Sequence, residues 1–269
     1  MECKNKSIRR KRIIGTVAVS LCALVGLLAG SLFARPVGCS NDDLTAPLEA
    51  MTEGSDSGET EEKVVYLTFD DGPSSTTESI LDTLKQEQVP ATFFVIAAPN
   101  NEKYLPLLER TVAEGHMIAL HTCTHDYKTI YQSPSAYWQD IDALKEKLSA
   151  YVDPQKLIWL RFPGGSTNTV SHKYGGSTIM KDLKAQATEK GYHYVDWNVC
   201  ADDAIGGHPS AEKIYNNVIR DANDHNKCIV LMHDTQATKH TADALPDIIR
   251  WFKNAGYRFD TIDHLEREI

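Results

Sequence analysis

Cysteine is scarce in this sequence, and what there is cannot form a framework. Of six cysteines, only Cys123, Cys200 and Cys228 fall in the long C-terminal part, far apart from one another. That excludes a disulfide scaffold and leaves buried thiols as the expectation. Positive charge is also thin there: residues 63–269 hold 21 Lys/Arg against 28 Asp/Glu, a net of −7. Nucleic acid requires a concentrated basic footprint, so no nucleic-acid partner is expected. No G-x-G-x-x-G follows the first apolar run, which removes the dinucleotide-binding reading. The Gly-Gly-Ser-Thr stretches at 164–167 and 175–178 lack the lysine of a phosphate loop, and turn chemistry accounts for both.

Long uncharged runs are equally rare, and the one that stands out is N-terminal. Lys4, Lys6, Arg9, Arg10, Lys11 and Arg12 make residues 1–12 a basic tail, and the run 13–34 that follows carries no charge. It is long enough to cross a bilayer as one helix, with the basic flank on the cytoplasmic side. A cleaved signal peptide is the competing reading, but Leu32-Phe33-Ala34 is a poor cleavage site. Lipidation at Cys39 is disfavoured by Pro36. The expectation is a single-pass membrane anchor with everything beyond it outside the cytoplasm, or a secreted chain if the segment is removed. Residues 35–62 form an acidic linker: from 41 to 62 there are eight acids and no Lys or Arg. Such a segment cannot bury a core. The globular domain is 63–269.

Within that domain apolar runs at 64–69, 91–97, 116–120, 157–162, 192–199, 228–232 and 257–262 alternate with segments of helical spacing. Tyr137, Ile141, Leu144 and Leu148 share a face, as do Ala211, Ile214, Tyr215 and Val218, and Leu245, Ile248, Ile249 and Phe252. Gly115, Gly191 and Gly256 stop helices just before strands. Thr76, Ser133 or Ser135, Ser210 and Thr241 are placed to start them. Seven strands alternating with six helices predict an α/β fold with parallel pairing, either an open doubly wound sheet or a closed barrel.

The ionisable residues cluster by position. Asp70 and Asp71 end the first strand, His121 and His125 the third, and Arg161 the fourth. Asp202 and Asp203 lie just beyond the fifth, and His233 and Asp234 end the sixth. In parallel α/β architectures these ends open on one face. Buried charge is costly unless paired or placed on a metal, so five coincident strand ends point to a site. His-x-x-x-His brings two imidazoles together, and one carboxylate completes a three-ligand set for a divalent cation. The cation absorbs the charge of one aspartate and leaves the other free as a base.

These residues resemble the polysaccharide deacetylases, carbohydrate esterase family four, also called the NodB homology domain. The resemblance spans 63–269. It rests on Thr68-Phe69-Asp70-Asp71-Gly72-Pro73, on His121-Thr122-Cys123-Thr124-His125, on Asp196-Trp197-Asn198-Val199 with Asp203 beyond, and on Leu231-Met232-His233-Asp234. The family's R-P-P-Y becomes Arg161-Phe162-Pro163-Gly164, which replaces its tyrosine with glycine. The resemblance implies a distorted, TIM-like (β/α)7 barrel and metal-dependent removal of N-acetyl groups from sugars. Carried over residue by residue, it implies Asp71, His121 and His125 as ligands of Zn²⁺, with Co²⁺ or Fe²⁺ also suited to them. Asp70 is then the base, kept charged by Arg161, and Gly164 N–H meets the oxyanion. His233 is the acid, oriented by Asp203, and Trp197 and Leu231 form the acetate pocket. Cys123 lies between the two histidines and is expected to point elsewhere.

The implied partner is an extracellular N-acetylated polysaccharide, peptidoglycan N-acetylglucosamine first, with chitin oligomers, xylan or a biofilm glycan as alternatives. A small-amide hydrolase on the same barrel and a surface glycan-binding protein without activity are the readings from other classes.

Overall fold

The computed structural model describes residues 62–265. The basic tail, the anchor at 13–34 and the linker, up to its last residue, lie outside the described residues. Among the described residues, no helix is long and apolar enough to cross a membrane.

Eight strands and eight helices make up this part. The strands are β1 (Val64–Asp70), β2 (Thr92–Ile96), β3 (Met117–Thr122), β4 (Trp159–Leu160), β5 (His193–Tyr194), β6 (Val199–Cys200), β7 (Lys227–His233) and β8 (Arg258–Asp260). The helices are α1 (Thr77–Glu87), α2 (Leu107–Ala113), α3 (Tyr127–Ile130), α4 (Pro134–Leu148), α5 (His172–Gly175), α6 (Ile179–Glu189), α7 (Ala211–Ala222) and α8 (Lys239–Asn254). Every strand pair is parallel, in the order β5-β4-β3-β2-β1-β7-β6. The result is a curled half-barrel with helices outside it. β8 pairs with β1 over Val64–Tyr66, whereas β2 pairs with β1 over Thr68–Asp70. Since β7 occupies the other flank of β1 along its whole length, β8 and β2 share one flank, β8 below and β2 above.

The expected run 192–199 departs from a single strand. It begins against β4 as β5 and ends against β7 as β6. Between them Val195 N–H reaches Leu160 O at 3.2 Å and Asn198 N–H reaches Ile229 O at 3.2 Å. The Asn198 side chain then acts as a substitute peptide group. Its Oδ1 accepts from Ile229 N–H at 2.7 Å and its Nδ2 donates to Lys227 O at 2.7 Å. One segment thus joins both ends of the sheet, and its middle cannot be a strand because it is changing partner.

Two apolar layers follow from the two-residue period of a strand. Val65, Leu67 and Phe69 face outward into the large core beneath the helices. Val64 and Tyr66 face inward, into a smaller core with Phe94, Ala119, Trp159, Val195 and Ile262. The amphipathic faces read from sequence are the buried ones, including Tyr137, Ile141, Leu144 and Leu148 of α4 and Leu245, Ile248, Ile249 and Phe252 of α8. Ser133 and Ser210 cap α4 and α7, accepting from Ala136 N–H and Lys213 N–H. Thr76 precedes α1 without a side-chain cap bond. Thr241 is no cap, because α8 begins at Lys239 and Thr241 is inside its first turn. Gly115, Gly191 and Gly256 all take the left-handed φ of a helix stop. Cys123 and Cys228 are buried free thiols. Cys200 is buried but is not one of the free thiols.

Candidate active site

Inward parity continues up β1 from Tyr66 to Thr68 and Asp70, so the last two meet the inside of the curl. A fully buried Arg161 lies among them. Its Nη1 donates to Asp70 Oδ1 at 2.9 Å and to Thr68 Oγ1 at 2.7 Å. Nε donates to Val195 O and Nη2 to Asp196 O, both at 3.2 Å. The guanidinium stands 4.2 Å from the Phe94 ring centre and 5.6 Å from that of Trp197. An arginine held on both edges and stacked on a ring is fixed in one geometry. It fixes Asp70, itself only 3% exposed.

On an extended backbone Asp71 would turn away from Asp70. Instead Asp71 has φ of 69°, a left-handed conformation uncommon for a residue with a Cβ. That turn swings its carboxylate to the two histidines. Asp71 Oδ1 is 3.4 Å from His121 Nε2 and 3.2 Å from His125 Nε2, and Asp70 Oδ2 is 3.9 Å from His121 Nε2. His125 also has positive φ, 53°. The two imidazoles stack with centres 5.1 Å apart. His121 Nδ1 is 2.7 Å from Arg161 O, an acceptor, so that nitrogen carries the proton and Nε2 offers its lone pair. Burial holds the His121 imidazolium below the ordinary range, against the pull of Asp70 and Asp71. Burial alone would raise the Asp71 carboxyl, but its electrostatic interactions with His125, His121 and His233 outweigh that and hold it low.

A test of metal fit is available in Asp71 Oδ1. It is buried and has no hydrogen-bond partner. An orphaned carboxylate oxygen beside two imidazole nitrogens is costly by itself and suited to a cation. One ligand atom from each of Asp71, His121 and His125 lies within 4.8 Å of the others. Two imidazoles and one carboxylate fit a three-ligand divalent site with open positions.

Across the cleft, His233 Nδ1 meets Asp203 Oδ1 at 2.8 Å. Asp203 Oδ2 accepts from His233 N–H and from Thr241 Oγ1, each at 2.7 Å. Burial alone would lower the His233 pKa. The charge and hydrogen bond of Asp203, with the charges of Asp71 and Asp70, overcome it and push it up to about 9. The imidazolium is therefore the resting form at neutral pH, with Nε2–H free to donate.

Several residues that sequence reasoning gave no role hold these groups in place. Asn101 Nδ2 bonds Asp71 O at 3.0 Å and Pro73 O at 2.9 Å, bracing the turn after β1. Buried Asp234 accepts from Ser74 Oγ at 3.0 Å and Thr77 Oγ1 at 2.6 Å, while its N–H binds Asp70 O at 2.8 Å. Burial lifts its pKa to about 6 against those hydroxyls, with Asp71 adding to the lift. Asp196 receives Ser166 N–H at 2.8 Å and Ser166 Oγ at 2.7 Å. The sequence signal for Asp234 and Asp196 was their place in the motifs; Asn101 carries none.

The third motif forms a tight turn. Gly165 N–H bonds Phe162 O at 2.7 Å, with Pro163 and Gly164 between them and φ of 78° at Gly164. That pattern is a type II turn, which calls for glycine at its third position. Gly164 is exposed at the tip, Trp197 is half-buried against Gly165, and Leu231 is buried on β7. A cleft of about 220 Å³ is lined by Asp71, Asp203, His233 and the loop 204–208. Gly164, Trp197 and Leu231 do not line it. Cys123 turns away from the histidines, its Sγ 3.8 Å from Ala97 O. A larger open groove between α1 and α8 shares only His208 and Ala237 with the cleft.

A fixed carboxylate, a candidate cation site and a protonated imidazole around one cleft can hydrolyse an acyl bond. Comparison with known proteins agrees in kind. The family model described as polysaccharide deacetylase matches residues 57–188. A peptidoglycan-N-acetylglucosamine deacetylase of Bacillus cereus is 32% identical over 205 residues, 74% of this chain and 69% of that protein. A peptidoglycan-N-acetylmuramic acid deacetylase of Bacillus subtilis is 30% identical over 266 residues, 91% and 94% of the two chains. The crystal structure of the catalytic domain of peptidoglycan N-acetylglucosamine deacetylase from Eubacterium rectale is similar too. It has a TM-score of 0.71 and 36% identity, covering 76% of this chain and 90% of that one.

Proposed function

The chain belongs to the polysaccharide deacetylase family, and from that premise we propose that it removes N-acetyl groups from an extracellular polysaccharide, peptidoglycan N-acetylglucosamine in particular. The observation that carries the reading is the unpartnered Asp71 Oδ1 between His121 Nε2 and His125 Nε2, opposite the His233–Asp203 pair. The choice of sugar leans on the names of relatives, and the choice of compartment on the uncharged run 13–34 behind its basic tail. The fold reading that goes with it is a distorted (β/α)7 barrel in which β5 and β6 are one interrupted strand.

Asp71, His121 and His125 would hold the cation, Zn²⁺ being best suited to mixed imidazole and carboxylate ligands. When bound, it supplies Lewis-acid activation of water and of the acetyl carbonyl. The chain's own residues do the rest. Asp70 takes the proton of the attacking water, with Arg161 holding its carboxylate still. The Gly164 N–H is the chain's own donor to the developing oxyanion. His233 gives its Nε2 proton to the departing amine, which would otherwise be a poor leaving group, and Asp203 keeps that proton available through Nδ1.

The test is acetate release from a panel of N-acetylated glycans, with chelator-stripped protein as control. Release from peptidoglycan strands that is lost on stripping and restored by Zn²⁺ supports the reading. Release from chitin oligomers or xylan alone would redirect the substrate, and no release from any of them would overturn the activity.

A further inference from the structure

α4 presents an apolar face to the core, but one residue breaks it. Asp140 falls between Tyr137 and Leu144 on that face and is only 8% exposed. A carboxylate buried in an apolar stripe is unfavourable unless its oxygens are satisfied. No Lys or Arg forms an ion pair with it among the described residues; the partners are backbone. Asp140 Oδ1 accepts from Cys123 N–H at 2.8 Å and Thr124 N–H at 3.2 Å, and Oδ2 accepts from Thr124 N–H at 3.2 Å.

Cys123 and Thr124 are two of the three residues that separate His121 from His125. They sit where the sheet stops supporting the chain. β3 ends at Thr122, and the register between β2 and β3 slips at Val95 and Ile96. Beyond that point the Cys123 and Thr124 N–H groups have no strand to donate to. Cys123 O is held from the other side by Ala97 N–H at 3.0 Å. The turn then has to deliver His125 in a left-handed conformation, with only Thr122 Oγ1 accepting its N–H at 3.2 Å.

We propose that Asp140 is a positioning residue for the metal site: by gripping both N–H groups of the turn, it sets the spacing of His121 and His125 and so the affinity for a divalent cation. The inference rests on the metal reading of Asp71, His121 and His125. It gives a buried charge on a helix remote in sequence a purpose that packing does not.

The test is Zn²⁺ affinity, measured by chelator competition, together with the visible absorption of the Co²⁺-loaded protein. Asp140→Ala should weaken Zn²⁺ binding about 10- to 100-fold, as loss of a group that orients a ligand typically does, and should alter the Co²⁺ bands. Asp140→Asn keeps one acceptor oxygen and should fall between wild type and alanine; it carries the test should Asp140→Ala fail to fold. Ser133→Ala loosens the start of the same helix and should leave affinity and spectrum unchanged. Wild-type affinity and spectrum in both Asp140 variants would overturn the inference and leave the metal reading intact. Failure of the wild type to bind any divalent cation would overturn both.

Discussion

At the level of single residues, the two aspartates at the end of β1 are given different work by backbone geometry. Asp70 keeps strand parity and is clamped by Arg161, whereas Asp71 leaves it through a positive φ. Asp70→Asn should therefore cut acetate release about 10²- to 10⁴-fold, the usual worth of a general base, while metal content measured by atomic absorption stays at one per chain. His121→Ala should lose the metal together with the activity. His233 makes a prediction in pH. With its pKa pushed up to about 9, the proton-donating form persists through neutrality, and kcat/KM should fall as pH rises through a limb no higher than that. A cation at Asp71 takes away part of the lift, since it cancels a neighbouring negative charge. Asp203→Asn should move the limb down by about one unit or more in the pH profile. The stability sign follows. The folded pKa lies above the ordinary 6.5, so this contribution is fully present below 6.5 and is lost as pH rises through 9. Charged types at strand ends made Asp70, Asp71, His121, His125, Arg161, Asp203 and His233 legible in sequence. Asn101 was not, because an uncharged loop amide bonding the backbone at the end of the neighbouring strand has no pattern to find.

Elements bring these residues together through turns rather than through the strands alone. The turn after β1 is packed so closely on Asp234 that a Cβ at Gly72 would collide with its carboxylate. Gly72→Ala should cost about 1–3 kcal/mol, as overpacking does, read as a lower urea midpoint, with acetate release reduced as well because Asp70 and Asp71 sit on the same turn. Helix faces and stops were legible because burial imposes their period and glycine their ends. Thr241 was misassigned for a physical reason: a threonine near a helix start resembles a cap, but this one is spent on Asp203. The Asp140 grip was hidden similarly. A lone acid in an apolar stripe is visible in sequence, but its partners are backbone groups whose location only the fold supplies.

For the molecule as a whole, parallel α/β organisation follows from the alternation of apolar runs and amphipathic segments. The place where the sheet changes partner does not, since residues 192–199 are continuous in composition and interrupted only in pairing. Asn198→Ala removes the side-chain amide that stands in for a peptide there, and should cost about 1 kcal/mol, a typical net hydrogen-bond contribution, in a denaturant melt. The position of β8 has a consequence for how the molecule is made. Beneath β2, the first strand is flanked on that side by β8, which lies far beyond it along the chain. A nascent chain therefore holds the foot of its central strand bare until residues 258–260 emerge, and cannot lock shut early.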